Sequence, residues 1–270
     1  AGLVLADSPV GYWRLGESSG PTAADVSGSG YNGTYTGGYT LGQSGALTGN
    51  ADTAAGFNGT TGYVQVGDIP GLRMANDLTL EAWIYPTGPG SGTGGAGGVI
   101  INKEGEYEIA RSADGTIQWA IQRTDGVTWH FVNTGIIAPL NQWTQVILTK
   151  SGTTVTAYGN GAWANTNTTD TTAGIGDLYS TQNDFRIGGR QNESQSFAGR
   201  IDEVAVYNTV LSAARITALY NAATGVNAPL GALTVSGAGA VTVNQNITTS
   251  GALSFALGNA GGTVTVNATL

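Results

Sequence analysis

Apolar and polar residues alternate along much of this chain, and the alternation predicts β-strands. It is clearest in five segments that are rich in Val, Ile, Thr and aromatic residues: 57–66, 78–86, 99–110, 141–163 and 185–190. A period of two residues places one set of side chains on each face of a strand, and the Gly, Asn and Pro residues between the segments are typical of turns. We therefore expect about a dozen strands in an antiparallel β-sandwich. Seven aromatic side chains are expected in or near its core: Trp13, Phe57, Trp83, Tyr107, Trp143, Phe185 and Tyr207.

The segment at residues 197–220, FAGRIDEVAVYNTVLSAARITALY, predicts a strand followed by a short amphipathic helix. In RIDEVAVY, the apolar residues Ile201, Val204 and Val206 mix with two acidic residues, and Val, Ile and Tyr have high β-propensity. Ser212 is a residue type that caps helix N-termini. Around it, apolar residues recur at roughly helical spacing: Leu211, Ile216, Leu219 and Tyr220.

Gly225 and Pro229 follow this helix and mark a boundary. We therefore divide the chain into a domain at residues 1–224, a linker at 225–230 and a small β-rich segment at 231–270. That segment contains a rough repeat, GALTVSGAGAVTVN against GALSFALGNAGGTVTVN, with starts 20 residues apart and Phe255 as its one aromatic residue. So short a unit buries too little surface to fold well alone. Two interpretations stay open: its strands add to other subunits of a homo-oligomer, or it is the first part of a longer β-domain that continues beyond Leu270.

Composition agrees with a globular β-protein and excludes several classes of partner. The 270 residues include 44 glycines and only 10% charged residues, which favours strands and tight turns over helices. A formal charge of −8, with Lys103 and Lys150 as the only lysines, repels phosphate backbones and anionic bilayers, so nucleic acid is not an expected partner. Without cysteine the chain forms no disulfide or thiolate metal site. It has no run of 18 or more apolar residues, so membrane insertion is not expected either.

The opening block and the closing strand together resemble the two ends of a known family. Residues 8–38, SPVGYWRLGESSGPTAADVSGSGYNGTYTGG, contain a Tyr-Trp-Arg-Leu-x-Glu core and an Asp-x-Ser-Gly-x-Gly loop, and the domain closes with IDEV and the short helix. The five alternating segments lie between them in the family's order. In these blocks the chain resembles the laminin-G-like, concanavalin A-like jelly-roll domains. The resemblance implies an all-β fold, which is an antiparallel β-sandwich of the jelly-roll type with a short C-terminal helix, followed here by the small β-repeat.

Glu104, Glu106 and Glu108, at alternate positions of KEGEYEIA, are the candidates for catalysis. Laminarinase-type glycosidases on this sandwich use carboxylates at alternate positions of one strand, and alternation places all three on one face. Their motif also has a middle aspartate and a nearby tryptophan, which this strand lacks. The resemblance instead matches Lys103 and a core-facing Tyr107 to the family's block. We therefore expect the glutamates to form the solvent-facing side of a half-buried strand, and we expect the protein not to be an enzyme.

Sugar recognition needs aromatic rings that stack on pyranose faces, with amides and hydroxyls around them. Alternation in VTWHFVN places His130 on the face opposite Trp129 and Phe131. We expect Trp119, Trp129 and Tyr158 to share one sheet surface with Trp163 of the YGNGAW hairpin. The loop GGRQNESQSF adds side chains suited to hydroxyl groups. The candidate ligand-binding residues are Trp129, His130, Tyr158, Trp163, Arg190 and Asn192.

Concanavalin A-like sandwiches often hold a calcium ion where the first and last strands meet, so the resemblance also implies a cation site. Calcium prefers carboxylate and carbonyl oxygens. Asp25 and Asn32 of the opening loop and Asp202 of the closing strand are the candidate ligands, with Glu17 and Glu203 close to them in sequence. In an alternative that stays open, Asp25 caps a turn and Asp202 bonds backbone amides.

For function, the resemblance implies a non-catalytic adhesion or glycan-binding module whose partner is a cell-surface carbohydrate. The block VLADSPVGYWRLGE resembles modules of tail, fibre and capsid-decorating proteins of phages of actinobacteria, and of secreted bacterial surface proteins. We therefore expect display on a virion beside other virion subunits, with residues 231–270 as an assembly segment, or else secretion or display on a bacterial surface. Two alternatives stay open: a purely structural virion subunit without a ligand, and a glycoside hydrolase or lyase on the same fold.

Overall fold

Two antiparallel sheets of eight strands each pack face to face and confirm the predicted all-β sandwich. The computed structural model describes residues 1–92, 97–125, 127–167, 174–177, 183–191, 195–226, 241–243 and 264–266. The strands of the sandwich are β1 (Gly11–Trp13), β2 (Thr22–Ala23), β3 (Gly33–Thr36), β4 (Tyr39–Ser44), β5 (Thr53–Asn58), β6 (Tyr63–Gly67), β7 (Leu78–Pro86), β8 (Gly98–Lys103), β9 (Tyr107–Arg111), β10 (Thr116–Gln122), β11 (Trp129–Ile137), β12 (Thr144–Ser151), β13 (Thr154–Gly159), β14 (Ala162–Asn167), β15 (Phe185–Ile187) and β16 (Ala198–Tyr207). Two α-helices, α1 (Gly2–Ala6) and α2 (Ala213–Thr224), and a 3-10 turn at Pro70–Leu72 complete the domain.

The order of the strands defines two sheets. Sheet I has the order β14-β13-β12-β7-β16-β5-β4 and also carries β1, which pairs with β16. Sheet II has the order β11-β10-β9-β8-β15-β6-β3-β2. Strand β16 is central to sheet I, because β1, β5 and β7 all pair with it in antiparallel register.

The core lies between the sheets and is filled by every second side chain of the long strands. Ile201, Val204 and Val206 are its members from β16, as the sequence predicts. Rings from the two sheets meet there, since Trp13 of β1 stacks on Phe185 of β15 with centroids 5.1 Å apart. Burial of this apolar surface is the main driving force for association of the sheets.

Most of the predicted aromatic core is confirmed. Four of the seven residues are buried between the sheets: Trp13, Phe57, Tyr107 and Phe185. Trp83 and Tyr207 are also buried, but they lie on the outer side of sheet I. Trp143 is only half-buried, and its ring stands edge-on to that of Tyr85 at 5.5 Å.

Strand β16 contains a β-bulge that breaks its alternation once. Its register with β7 shifts between Asp202 and Ala205, and Glu203 adopts a left-handed backbone with φ of 50°. Because Ile201 and Val204 both belong to the core, the one extra residue turns Asp202 and Glu203 outward together. A bulge of this kind re-aims side chains without ending the strand.

Helix α2 closes the domain over the outer side of sheet I. The hydroxyl of Ser212 accepts a hydrogen bond from the Arg215 amide, and Gly225 ends the helix in a left-handed conformation, which confirms both predicted caps. Leu211, Ile216 and Leu219 pack in a second apolar cluster, together with outward residues of the sheet: Tyr12, Ile147, Tyr158, Ala205 and Tyr207. Tyr220 stacks on Trp83 with centroids 5.7 Å apart. The short helix α1 was not predicted.

Most of the predicted linker and of the β-repeat lies outside the described residues. Two short strands are described, β17 (Val241–Val243) and β18 (Val264–Val266), and they pair in parallel. They occupy corresponding positions in the two halves of the predicted repeat. Within the described ranges, neither α-helix has the length and apolar content that a membrane span requires.

Glu81 provides a pH-dependent term in the stability of this fold. It is buried on the outer side of sheet I, where Gln145 Nε2 and the Tyr207 hydroxyl donate to its two oxygens at 2.8 and 3.0 Å. Burial raises the pKa of Glu81 from 4.5 to about 7. Between these values the folded protein keeps a proton that the unfolded chain has lost, so the free energy of unfolding falls as pH rises through this window.

We expect this fall to amount to about 3 kcal/mol, since each unit of pKa shift corresponds to about 1.4 kcal/mol. Glu81→Gln cannot ionise and should flatten the decline. Urea unfolding of both proteins at several pH values between about 4.5 and 8 measures the difference. Parallel curves for the two proteins would show that Glu81 does not titrate in this range.

Candidate functional site

A row of side chains crosses the outer face of sheet II, on the side away from the core. The residues that carry these side chains pair in register from one strand to the next, from β11 to β3. The residues before and after them in the sequence point inward, as Tyr107 and Ile109 do on either side of Glu108. The row consists of Phe131, Ala120, Glu108, Asn102, Arg186, Gln65 and Thr34. The face therefore changes from apolar on β11 to polar on the central strands.

The apolar end of this row is an exposed aromatic platform. Trp129 and Phe131 project from the same side of β11, and their rings stack with centroids 5.9 Å apart. Phe131 is 59% exposed, and nearby in sequence Val127 is 76% exposed. Aromatic faces of this kind suit stacking on the apolar face of a sugar ring.

The three glutamates of KEGEYEIA are buried, so the predicted solvent-facing strand is wrong. Strand β8 ends at Lys103 and β9 begins at Tyr107, with Gly105 at φ of 75° in the turn between them. Each glutamate side chain is less than a tenth exposed and has a polar partner, because a buried carboxylate needs one. Tyr107 does face the core as predicted, and its hydroxyl donates to the Leu72 carbonyl at 2.7 Å.

Arg190 joins the buried carboxylates to the aromatic platform. Its Nε and Nη2 donate to the two oxygens of Glu104, both at 2.9 Å, and its Nε lies 3.8 Å from Glu108 Oε2. The guanidinium carbon also lies 5.8 Å from the centre of the Trp129 ring, within the range of a cation–π contact. The structure thus brings together two of the predicted ligand-binding residues, Trp129 and Arg190.

Two amide side chains between these groups have unpaired oxygens. Asn102 Nδ2 donates to Glu108 Oε2 at 2.9 Å, and Gln122 Nε2 donates to the Arg123 carbonyl at 3.4 Å. The Glu108 carboxylate and the Arg123 carbonyl accept hydrogen bonds and do not donate them. The amide atom next to each is therefore the nitrogen, and the other amide atom is the oxygen. Asn102 Oδ1 and Gln122 Oε1 are fully buried, yet neither has a hydrogen-bond partner within the described part of the chain. Such atoms are costly unless a water molecule or a ligand donates to them.

The other predicted ligand-binding residues lie elsewhere. His130 is on the core side of sheet II, as its alternation with Trp129 predicts, and its ring lies 5.4 Å from that of Trp119. Tyr158 is buried beneath α2. Trp163 is 63% exposed, but it belongs to β14 of sheet I. The expectation that Trp119, Tyr158 and Trp163 share a surface with Trp129 is therefore wrong, and Asn192 lies outside the described residues.

A second polar cluster forms at the bulge of β16. Carboxylate oxygens of Asp52, Asp202 and Glu203 lie within 4.8 Å of one another. Arg14 forms ion pairs with Asp52 and Glu203, and the hydroxyl of Tyr12 donates to Glu203. Burial raises the pKa of Asp202 and that of Glu203 to about 7, so the cluster disfavours its own negative charge. Asp202 Oδ2 accepts from the Ala46 amide at 2.7 Å, whereas Oδ1 has no partner among the described residues.

Asp25 and Asn32, the other predicted cation ligands, close the opening loop. The Asp25 carboxylate accepts from the backbone amides of Tyr12, Ser27 and Tyr31 at 2.8–3.0 Å. Asn32 Oδ1 in turn accepts from the Asp25 amide at 2.9 Å. This is the turn-capping role that stood as the alternative, and the site on Asp25, Asn32 and Asp202 stays a prediction.

A family model places this fold among known proteins. Residues 58–217, more than half of the chain, match the model described as "Concanavalin A-like lectin/glucanases superfamily". The chain belongs to this superfamily. No curated protein sequence matches it closely enough to serve as a relative.

Solved structures of the same fold include two binding domains and one arabinanase domain. The binding domain of Paraclostridial Mosquitocidal Protein 1 aligns with a TM-score of 0.62 and 17% identity over 80% of this chain and 52% of its own, so the chain spans about half of that structure. Domain 4 of AbnA, a GH43 extracellular arabinanase from Geobacillus stearothermophilus, was solved with arabinotriose and aligns with a TM-score of 0.58 and 21% identity over 79% of this chain and 98% of its own. The ligand binding domain of Botulinum neurotoxin serotype D, solved with N-acetylneuraminic acid, aligns with a TM-score of 0.55 and 16% identity over 81% of this chain and 52% of its own. At these identities the likeness shows the fold alone.

In this concanavalin A-like sandwich, several of the polar groups suited to hydroxyl ligands belong to residues that the sequence did not indicate. Asn102, Gln122 and Arg186 escaped notice because isolated polar residues in strands are usually only surface. Their signal in the sequence is a polar residue that follows an apolar one in a mainly apolar segment, as Asn102 does in VIINK, Gln122 in TIQWAIQ and Arg186 in FRI. That signal predicts an outward face, but it does not say that the face is buried.

Proposed function

We propose that this chain is a non-catalytic glycan-binding module whose saccharide lies on the outer face of sheet II. One observation carries the proposal: the half-buried ring of Trp129 and the exposed ring of Phe131 share a sheet face with buried polar groups, and these include two amide oxygens without a partner among the described residues. A sugar offers an apolar ring face and several hydroxyl groups, so it matches both halves of this surface. The superfamily and the two saccharide complexes among the similar structures support the same class of ligand.

The pairing of the carboxylates favours binding over glycoside hydrolysis. Hydrolases need one carboxyl group that keeps a proton and a second that stays ionised and free to act. Here Arg190 neutralises Glu104 through two hydrogen bonds, and Lys103 forms an ion pair with Glu106 at 3.1 Å. Both acids therefore serve structural contacts.

We place the module on the surface of a virion, as part of a tail, fibre or capsid decoration, with secretion or display on a bacterial surface as the alternative. The resemblance of the opening block supports this location. Residues 231–270 would assemble the chain into oligomers, and the parallel pairing of β17 with β18 supports a repeating β-structure there. Oligomers would present several copies of one shallow site, which raises the overall affinity.

We also propose a calcium ion at the bulge of β16, held by Asp202 and Asp52 with Glu203 beside them. The site fits a hard cation because three carboxylates gather beside the Arg14 guanidinium, and Asp202 Oδ1 has no partner among the described residues. Calcium would supply positive charge and oxygen coordination there. Its role would be to stabilise the junction of β16 with the opening strand.

The glycan proposal predicts that replacement of Trp129 and replacement of Trp163 affect saccharide binding differently. Trp129→Ala should weaken the binding of a saccharide found on a glycan array by about tenfold or more, equivalent to ~1.4 kcal/mol, because it removes the stacking surface. Trp163→Ala makes the same substitution on sheet I, at a ring that is 63% exposed, and serves as the control. Titration calorimetry on the full chain measures both.

If only Trp163→Ala lost binding, the saccharide site would be assigned to the β13–β14 hairpin of sheet I instead. A glycan array that stays blank for the wild type, with calcium present, would leave the purely structural role as the better explanation.

The calcium proposal predicts a rise in melting temperature on addition of CaCl2. At roughly a hundredfold excess over the dissociation constant, the ion should add about 2.7 kcal/mol to the free energy of unfolding. Asp202→Asn should abolish the rise, whereas Asp77→Asn, the same change at an exposed position, should keep it. A melting temperature that does not respond to CaCl2 or to chelator would exclude this site.

The assembly proposal predicts a change of mass on truncation. Light scattering should give a multiple of the 27.3 kDa chain mass for the full protein and a monomer after deletion of residues 227–270. Equal states of assembly in the two proteins would assign any oligomer to the sandwich instead.

A further inference from the structure

The polar part of the sheet II face is dominated by acceptors. Two of its unpaired atoms are the amide oxygens of Asn102 and Gln122. A third amide oxygen, Asn183 Oδ1, has no partner within the described part of the chain. It lies near the turn between β8 and β9, where Asn183 Nδ2 donates to Glu106 Oε1 at 3.2 Å. All three amides are fully buried and are oriented by acceptors that hold their NH2 groups. A ligand that satisfies them must donate hydrogen bonds.

The carboxylates around these amides reinforce this requirement. Glu108 Oε2 already accepts from Asn102 Nδ2, and Glu104 and Glu106 lie at the adjoining turn. All three are buried, so water screens their charge less than at an exposed site. Arg190 and Lys103 offset the charges of Glu104 and Glu106, so a second anion would meet chiefly the charge of Glu108, which lies 3.8 Å from Arg190 Nε. Like charges brought together in an interface cost several kcal/mol.

The arginines of the face do not offset this effect, because each already has an acidic partner. Arg190 forms its two hydrogen bonds with Glu104. Arg186 Nη2 donates to Asp184 Oδ2 at 3.0 Å, and its guanidinium carbon lies 4.5 Å from the centre of the Tyr63 ring. Arg186 Nε has no hydrogen-bond partner among the described residues. One donor suits a hydroxyl or ring oxygen, whereas a ligand carboxylate would need a guanidinium that is not yet neutralised.

We infer that this face selects neutral, hydroxyl-rich saccharides and rejects sugars that carry a carboxylate, such as uronic and sialic acids. This inference rests on the proposed glycan-binding function and narrows its ligand class. A hydroxyl group donates one hydrogen bond and accepts others, so a neutral saccharide whose ring stacks on the platform at Trp129 and Phe131 offers the donors that Asn102 Oδ1 and Gln122 Oε1 lack. A carboxylate satisfies none of the unpaired acceptors.

Matched pairs of saccharides test the inference on the wild-type full chain. Suitable pairs are galactotriose against trigalacturonic acid, which differ only at carbon 6 of each sugar, and lactose against sialyllactose. In every pair for which binding is measured by calorimetry, we expect the neutral member to bind at least about tenfold tighter, equivalent to ~1.4 kcal/mol. This comparison needs no variant and therefore does not depend on the folding of one.

A charge-removing variant assigns the discrimination to this face. Glu108→Gln keeps an oxygen that can accept from Asn102 but removes one buried negative charge, so the preference for the neutral member should shrink several-fold. Asp114→Asn removes the same charge from the exposed turn between β9 and β10, at the other end of these strands, and should leave the preference unchanged.

The possible results of these experiments distinguish failure of the selectivity inference from failure of the proposed glycan-binding function. Tighter binding of the carboxylated members would overturn the inference while the glycan-binding function stands. An equal affinity for both members of each pair would also overturn it, as would a preference that Glu108→Gln and Asp114→Asn reduce alike. A chain that binds neither member of any pair, nor any saccharide on an array, would overturn the proposed function and the inference together.

Discussion

The single bulge in strand β16 is the constraint on which both sides of sheet I depend. Pairing with β1, β5 and β7 makes this strand the centre of the sheet, and its inward residues Ile201 and Val204 belong to the core. Without the extra residue, a strict period of two could not place both inward. Beyond it, Ala205 and Tyr207 face outward to receive α2. The helix, the core and the acidic cluster therefore share one backbone irregularity.

Buried charge plays a comparable organising role on sheet II. Lys103 is fully buried, where its ammonium contacts Asp68 at 2.8 Å, Glu106 at 3.1 Å and the Asn183 carbonyl. Pairs of this kind contribute little net stability, because desolvation offsets the attraction, but loss of one partner is costly. The main effect of these pairs is therefore to fix the relative positions of the segments that they join. The Glu104–Arg190 pair holds the loop after β15 against the β8–β9 turn, and this places the guanidinium over Trp129.

Features that depend on neighbouring residues in the chain could be predicted, and features that depend on distant ones could not. The strand at β16 and the capped helix α2 follow from local alternation and from Ser212 and Gly225. The alternation through KEGEYEIA predicted a strand whose glutamates face solvent, and this is wrong. Gly105 turns the chain there, and the partner of Glu104 lies 86 residues away at Arg190. Tyr158 is covered by α2, which alternation alone cannot reveal. The candidate binding face could not be predicted from the sequence for the same reason, because its residues come together only through the register of six strand pairs.

Unpaired buried acceptors alone do not mark a site, because Gln145 Oε1 on sheet I has no partner among the described residues either. That amide lies beside Glu81, to which its Nε2 donates, on the side of sheet I that α2 covers. On sheet II, Gln122 instead pairs in register with Trp129, whose ring stacks on the solvent-exposed ring of Phe131. Exposing Phe131 forgoes the stabilisation that its burial would add, and the unpaired acceptors carry a further cost. Proteins tolerate such energetically unfavourable features mainly at functional sites. A bound saccharide would cover the exposed ring and supply hydrogen bonds to the unpaired acceptors.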